Sequence, residues 1–309
     1  MYGSPSWTAR STETSGAVGT SRSLRPVPRD LPSFDLVVAT VGRVEELGRV
    51  FDSAAAQDYE RLRVIVVDQN EDDRLAGILN GREIEIVRLR SERGLSRARN
   101  VALPLLTADV VAFPDDDCVY PPGLLNRVAE RLSSEPDLDG LTGRAEDASG
   151  ASSASWKQDA AVLTDDNLWN RAISFTIFLR RAVVERVSAF DERLGLGSDE
   201  PWSSGEEIDY LIRAVRGGAR IEYDPSLVVH HDVRVTDASV AYRDGASVGY
   251  LLRKHRYPSR SVARMLARPL GGIVVSIAQL HLPRASYHAS TLRGRVAGYR
   301  GASRSKISR

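Results

Sequence analysis

The sequence has almost no cysteine, since Cys118 is the only one among 309 residues. A single cysteine excludes a disulfide within this sequence, which suits a reducing compartment. The first residues contain no apolar run, and this predicts that there is no secretory signal. The longest apolar stretch, Leu270 to Leu282, is interrupted by glycine and is shorter than the roughly 20 residues needed to cross a bilayer. We therefore predict a cytoplasmic protein.

Glycine-rich phosphate loops are also missing. The first hydrophobic run is followed by Thr40-Val41-Gly42-Arg43, which contains one glycine. A dinucleotide-dependent dehydrogenase needs a G-x-G-x-x-G turn at this point, because the backbone must approach the pyrophosphate closely. The segment therefore excludes that class, and it disfavours a nucleotidyltransferase built on a similar sheet for the same reason.

Acidic residues are absent from the end of the chain. Residues 253–309 contain 13 Lys or Arg and no Asp or Glu, which leaves 29 basic and 41 acidic side chains on the preceding residues. A basic end on an acidic body indicates that the two parts meet different partners. The basic segment predicts peripheral contact with the inner face of a membrane, or else an ordinary solvated helical face. We predict no nucleic-acid partner.

Composition divides the chain into three parts. Residues 1–31 are rich in Ser, Thr, Arg and Pro with almost no aliphatic side chains, which predicts a flexible tail. Residues 32–236 contain the regular apolar patterns of a folded domain. Residues 237–309 are predicted to form a basic, helical C-terminal extension.

Short apolar strands alternate with helical patterns in the first half of the folded domain. The predicted strands are Phe34–Thr40, Leu62–Val67, Ile84–Val87 and Asp109–Phe113, and the predicted helices lie at Val44–Ala55, Ser96–Leu106 and Leu124–Leu132. This alternation predicts an α/β fold with a mainly parallel sheet that helices cover on both faces. Ligands of such sheets bind at the carboxyl ends of the strands.

The second half of the domain is less regular. Residues 143–170 are polar and small, which predicts long loops over the ligand site expected at the carboxyl ends of the strands. A strand is predicted at Ser174–Leu179, and an amphipathic helix at Ile208–Val215. Two short strands are predicted to follow, at Ala219–Tyr223 and Leu227–His231.

Polar side chains follow the predicted strands. Thr40, Asp68 and the run Asp115-Asp116-Asp117 each come at or just past a carboxyl end, so we expect them at one edge of the sheet. Three adjacent carboxylates repel one another unless a cation lies among them. Their oxygen atoms suit Mn²⁺ or Mg²⁺, which bridge phosphates. The alternative is a solvated acidic turn without a metal.

The segment around Ala98 adds basic residues to the same edge. Ser96 is a candidate N-cap of the predicted helix. Arg97 and Arg99 either contact a nucleotide base or phosphates, or simply pair with the acidic run. Asp68 either accepts a hydrogen bond from a base or ribose, or forms an ordinary turn.

Two glutamates and a histidine pair complete the candidate residues. Glu206 and Glu207 begin the amphipathic helix, and each follows a serine by three residues, which fits a capping box. The functional alternative makes one of them a general base. His230 and His231 are adjacent on a predicted strand and point to opposite faces, so at most one is expected to bind a metal.

The order of these motifs resembles that of the inverting family 2 glycosyltransferases, which have the GT-A fold, from about Phe34 to Asp232. The resemblance rests on the following ordered set: Ala39-Thr40, Asp68, Ala98-Arg99-Asn100, Asp115-x-Asp117, Phe190-Asp191-Glu192, Gly205-Glu206-Glu207 and His231. It implies a sugar transferase that uses a UDP-, GDP- or dTDP-sugar donor and a glycan or lipid-linked acceptor in bacterial polysaccharide or cell-envelope biosynthesis. The alternative is a nucleotide-sugar-binding partner protein without activity.

The residues and the resemblance together assign roles. Nucleotide-sugar contacts are expected from Thr40, Arg43, Asp68, Arg97, Arg99, Asp115 and Asp116. Metal ligands are expected from Asp117, Asp115 and His231. Glu207 is expected to be the base, with Glu206 as the alternative, because relatives more often carry Asp in the last position of this motif.

Overall fold

The computed structural model describes residues 31–147, 149–152, 155–232 and 237–301. The predicted flexible tail, apart from Leu31, lies outside the described residues, as do residues 302–309 of the predicted extension.

The described residues form nine strands and nine α-helices. The strands are β1 (Phe34–Thr40), β2 (Leu62–Asp68), β3 (Glu85–Arg90), β4 (Val110–Ala112), β5 (Cys118–Val119), β6 (Gly140–Glu146), β7 (Ala161–Val162), β8 (Ile177–Arg180) and β9 (Ile221–His231). The helices are α1 (Glu45–Ala55), α2 (Ala76–Leu79), α3 (Leu95–Ala102), α4 (Leu124–Ser134), α5 (Arg181–Val187), α6 (Glu206–Arg216), α7 (Ala238–Lys254), α8 (Ser259–Ala278) and α9 (Leu282–Gly301).

The strands form one sheet in the order β3-β2-β1-β4-β8-β6-β9-β5, and β7 pairs with β9. The first four strands are parallel to one another. Beyond β4 the sheet is mixed, because β8 runs antiparallel to both β4 and β6 whereas β6 and β9 are parallel. The α/β fold is confirmed, and its fully parallel part is the half that precedes the acidic run.

Both faces of β1, which lies inside the parallel half, are buried, and this explains the continuous apolar run of the strand. On β1, Val37 joins a core that contains Ala98 of α3. The neighbouring Leu36 and Val38 point to the opposite face and pack in a second core with Phe51 of α1. Helices on both sides therefore hold the strand ends in place.

The second half departs from the sequence prediction. The polar segment expected to be loops contributes strand residues up to Glu146 and at Ala161–Val162, because β9 provides a pairing partner for both stretches. The two short strands expected before His231 are one continuous strand, β9, whose pairing with β6 shifts register between Thr142 and Arg144. The strand expected from Ser174 begins as a single 3₁₀ turn, so β8 starts only at Ile177.

The C-terminal helices exist as predicted, and they share the core of the sheet. Tyr250 and Leu251 of α7 are buried in the same core as the α3 side of the sheet. Helices α7 and α9 cross closely at glycines: a Cβ atom at Gly249 would overlap the carbonyl oxygen of Arg295, and one at Gly298 would overlap that of Ala246. Only glycine permits this backbone approach.

Helix α8 is the one helix in the described ranges that is long and apolar enough to span a membrane by length and composition. Of its apolar window, 22% is buried inside the protein.

Candidate active site

A cleft of about 350 Å³ opens where β1 and β2 end and the acidic run begins. It is lined by residues from five segments of the chain: Ala39, Val41, Arg43, Gln69, Arg93, Gly94, Leu95, Asp115, Asp116, Asp117, Leu196 and Gly197. The parallel strands bring these segments together although they lie far apart in sequence. The cleft is therefore placed where ligands of this sheet architecture bind.

One group of potential metal ligands lies at this edge. Oxygen atoms of Asp115 and Asp117 and a ring nitrogen of His231 all lie within 4.8 Å of one another. Nε2 of His231 is 3.2 Å from Oδ1 of Asp117, and its ring stacks on Phe175 with a centroid separation of 4.8 Å. Two carboxylates and one imidazole are a donor set that fits Mn²⁺ or Mg²⁺.

Arg43 reaches the acidic run from the loop after β1. Its Nη1 donates to Oδ1 of Asp116 at 2.7 Å, and it also pairs with Asp117. Burial raises the pKa of the Asp116 carboxyl, although Thr40 and Arg43 act to lower it. A positive charge thus already lies among carboxylates that would otherwise repel one another.

Arg99 connects the acidic run to the start of α6. Its side chain is 1% exposed, its Nη1 is 2.8 Å from Oε1 of Glu206, and its Nη2 is 3.5 Å from Oδ1 of Asp115. The guanidinium also lies over the rings of Phe113 and Phe190, at 5.7 and 5.4 Å from their centroids. A buried arginine between two carboxylates fixes their separation, because losing either contact would leave charge without a partner.

Helix α6 presents Glu206 and Glu207 in its first turn. Glu206 is buried against Arg99, whereas Glu207 is partly exposed. Desolvation of the carboxyl group of this partly exposed residue, together with the neighbouring Glu206 charge, raises the pKa of Glu207. The proposed capping boxes are wrong, because the helix begins after Gly205 at a φ of +79° and neither serine caps it.

Asp68 ends β2 as predicted but is fully buried and does not line the cleft. Its Oδ1 accepts hydrogen bonds from the backbone and side chain of Asn70, and its Oδ2 accepts from Arg88 at 2.6 Å and lies 3.2 Å from Arg90. Burial opposes ionisation, but these contacts outweigh it and lower the pKa of the Asp68 carboxyl. The carboxylate therefore orders the loop after β2.

Arg97 points away from this group. Its side chain is 45% exposed and pairs with Glu92 and Glu192, and it does not line the cleft.

The predicted N-cap at Ser96 is wrong, since α3 begins after Gly94 and the Ser96 hydroxyl donates to the carbonyl of Leu194.

Sequence reasoning missed three residues of the site. Gln69 lines the cleft, and its side-chain oxygen accepts from the amide of Gly94. Arg93 lines the cleft beside it. The hydroxyl of Ser174 donates to Oδ1 of Asp115 at 3.0 Å. The position of Gln69 after a strand end was a usable signal, whereas nothing in the pattern around Ser174 points to the acidic run.

The chain is similar to known proteins over most of these elements. Residues 35–187 match the family model described as Glycosyl transferase family 2. The pre-mycofactocin glycosyltransferase of Mycobacterium tuberculosis is 30% identical over 190 residues, which cover 56% of this chain and 38% of that protein. The succinoglycan biosynthesis protein ExoM of Rhizobium meliloti is 26% identical over 277 residues, which cover 84% of this chain and 88% of that protein.

A similar fold occurs among solved structures. The mannosyltransferase PcManGT from Pyrobaculum calidifontis, solved in complex with GDP-Man and Mn²⁺, aligns with a TM-score of 0.62 at 16% identity over 89% of each chain. The fold is therefore of the GT-A type. Residues 35–187 therefore form a domain of glycosyltransferase family 2, a family of transferase enzymes, as the ordered motifs implied. The chain spans only 38% of the length of the mycobacterial relative that it matches.

Proposed function

We propose that this chain transfers a sugar from a nucleoside-diphosphate donor to an acceptor hydroxyl, with inversion at the anomeric carbon and with help from a divalent cation. The observation that carries this proposal is the connection of the two halves of the site. Asp115, in the potential metal-binding group, contacts Arg99, and Arg99 contacts Glu206, which adjoins Glu207. A cation site and a candidate base are thus tied together by one buried side chain.

On the donor side, Asp115, Asp117 and His231 would hold the Mn²⁺ or Mg²⁺ ion. When bound, such an ion supplies neutralisation of the charge on a diphosphate leaving group. Arg43 and Arg93, which line the cleft, offer further positive charge to the phosphates. The complex of PcManGT with GDP-Man and Mn²⁺ supports this class of donor and cation.

The predicted nucleotide contacts differ in how they would act. Asp116 lines the cleft, and Thr40 is buried beside it. Asp68 would act indirectly, by holding the loop that carries Gln69, and Arg97 is the weakest of the proposed contacts because it faces two glutamates away from the cleft.

On the acceptor side, Glu207 would remove the proton of the attacking hydroxyl as that oxygen bonds to the anomeric carbon and the nucleoside diphosphate departs. A carboxylate with a raised pKa is a stronger proton acceptor than an ordinary one. Glu206 is bound to Arg99, so we assign it a positioning role. Similarity to the succinoglycan biosynthesis protein ExoM supports a role in bacterial polysaccharide biosynthesis. We propose a glycan or lipid-linked acceptor, used at the cytoplasmic face of the cell envelope.

A thermal-shift screen tests this function. The full chain is heated with UDP, GDP or dTDP and their sugar conjugates, each with and without Mn²⁺. We expect one nucleotide to raise the melting temperature, with a larger shift when Mn²⁺ is present, because a ligand that binds only the folded state stabilises it. The Asp117→Ala variant should lose the part of the shift that depends on Mn²⁺.

Product analysis separates an enzyme from a binding protein. Incubation of the stabilising nucleotide sugar with glycan and lipid-linked acceptors should release nucleoside diphosphate and form a glycoside of inverted configuration. Binding without product across the acceptors would favour the inactive partner protein. If no nucleotide shifts the melting temperature, with or without Mn²⁺, the donor assignment is wrong.

A further inference from the structure

The end of α8 and the start of α9 form an exposed apolar surface, which we call the hairpin tip and define as Leu270, Val274, Val275, Ile277, Leu280 and Leu282. Leu280 is 87% exposed, Leu282 69% and Val274 67%. Exposed apolar side chains gathered in one place, rather than scattered singly, mark an interaction surface.

A cavity of about 420 Å³ lies between α8 and α9 directly beside the hairpin tip, since both include Val275. Three arginines line it, namely Arg268, Arg284 and Arg295, and polar side chains of Tyr287, His288 and Thr291 also contribute to its wall. We call it the arginine cavity. Its donors are of the kind that bind phosphate oxygens.

The cavity residues that the structure describes include no Asp or Glu that could pair with these arginines. The chain from residue 255 onward contains no Asp or Glu at all. Burial and the nearby charge of Arg268 lower the pKa of Arg295 to about 10. Three positive groups converge on this space without an anion from their own segment.

We propose that the hairpin tip and the arginine cavity together form a membrane-docking site, in which the apolar tip enters the bilayer interface and the cavity takes the phosphate headgroup of an anionic lipid. The apolar surface suits the acyl region of the bilayer interface, and the arginines beside it suit the anionic headgroups. A second copy of the chain would bring the same arginines against one another and is disfavoured. This inference goes beyond sugar transfer, because no catalytic residue takes part.

Helix α8 would lie at the interface rather than cross the bilayer. Arg260, Arg264 and Arg268 occur at successive turns of its first half, and a charge at bilayer depth is costly. The start of α8 is also held at the protein, where Arg264 pairs with Asp166. Only its apolar second half is available to enter lipid.

Vesicle flotation of the full chain tests the proposal. The protein is mixed with phosphatidylcholine vesicles, either pure or containing about one third phosphatidylglycerol, and the bound fraction is measured. We expect binding to the anionic vesicles only. The double variant Arg268→Gln/Arg284→Gln should bind about thirty-fold more weakly, since each arginine near the surface contributes about fivefold. The double variant Val274→Asp/Ile277→Asp should lose at least about tenfold.

The matched control is Arg49→Gln/Arg127→Gln, which removes the same charge from exposed positions on α1 and α4. It should bind vesicles like the unchanged chain. All variants should keep the nucleotide-dependent thermal shift of the unchanged chain, which shows that they fold and keeps this test separate from that of the proposed function.

Several results would overturn the proposal. One is failure of the unchanged chain to bind anionic vesicles. Another is an equal loss in the control and the cavity variant, which would mean attraction through net charge alone. A third is saturation of the cavity by inorganic phosphate without vesicle binding, and a fourth is self-association that Val274→Asp/Ile277→Asp abolishes while vesicles have no effect.

Discussion

Two regions of this protein concentrate charge of one sign, and they differ in whether residues of opposite charge pair with it. At the cleft, carboxylates gather, and arginines from other segments reach them: Arg43 pairs with Asp116 and Arg99 with Glu206. In the arginine cavity, guanidinium groups gather and no described carboxylate lines the wall.

This difference in pairing distinguishes charges that stabilise the fold from charges that are available to bind a ligand. A buried ion pair fixes geometry, because removing one partner leaves the other desolvated without compensation. A cluster of like charges without a carboxylate partner stabilises the fold less, and its charge is compensated only when a ligand of opposite sign binds. At the cleft the same carboxylates serve in both ways, since Asp115 contacts Arg99, Asp117 pairs with Arg43, and both form with His231 a group that fits a cation.

The largest expected effect concerns the base. Glu207→Gln should lower turnover by about 10²–10⁴ because general-base assistance is lost, while nucleotide binding stays unchanged. Steady-state rates and nucleotide thermal shifts measure the two effects separately. The control is Glu185→Gln, an exposed position on α5 that should leave the rate unaltered. Transfer at the normal rate by Glu207→Gln would refute the base assignment.

The second prediction compares a buried and an exposed arginine near the cleft by their contribution to stability. Arg99→Met should lower the free energy of unfolding by about 3–5 kcal/mol, because Glu206 would be left buried without its partner. Arg97→Met is the matched control, two residues away on α3, and should change it by about 1 kcal/mol or less because Arg97 makes only surface pairs. Urea unfolding of both variants gives the values. Equal losses would show that the buried network has no special role.

The third effect concerns pH. A base must be deprotonated to act, and the pKa of Glu207 is raised, so the rise of kcat/KM should occur at higher pH than for a carboxyl with a value near about 4.3. Below the pKa the rate should fall about tenfold per pH unit. A pH profile of kcat/KM measures this, and the rise should vanish in Glu207→Gln. A flat profile from about pH 5 to 8 would argue against a raised pKa.

The smallest effect tests the other region. Arg295 donates to the carbonyl of Met265, but burial and Arg268 disfavour its charge. Arg295→Met should therefore change the free energy of unfolding by about 1 kcal/mol or less, in either direction, in contrast to Arg99→Met. Urea unfolding without added phosphate or lipid is the measurement. A loss as large as that of Arg99→Met would erase the difference between the two regions.

Much of the fold could be predicted from the sequence, because the parallel strands carry their own signal. The strand from Phe34 to Thr40 is buried on both faces, so its apolar run was visible without any knowledge of its partners. The segment around β6 and β7 gave no such signal, since its residues are polar and pair only because β9 lies beside them.

The site shows the same limit. The acidic run was found because it follows a buried strand, and its placement with Thr40 at one edge follows from the parallel sheet. The sequence could not separate Arg97 from Arg99, because burial of Arg99 depends on Glu206, more than 100 residues away on α6. The choice between Glu206 and Glu207 depended on that same contact.

One contact made by the C-terminal helices reaches the helix that carries the candidate base. Lys254, the last residue of α7, lies 2.5 Å from Oδ1 of the buried Asp209 and 2.7 Å from Oδ2 of Asp191. Asp209 is on the first turn of α6, two residues after Glu207. A shortened protein that ended before α7 would lose Lys254 and His255 from the buried Asp209 and leave Arg213 of α6 as its charged partner. We therefore expect the smallest active unit to extend past residues 35–187, the segment that matches the family model.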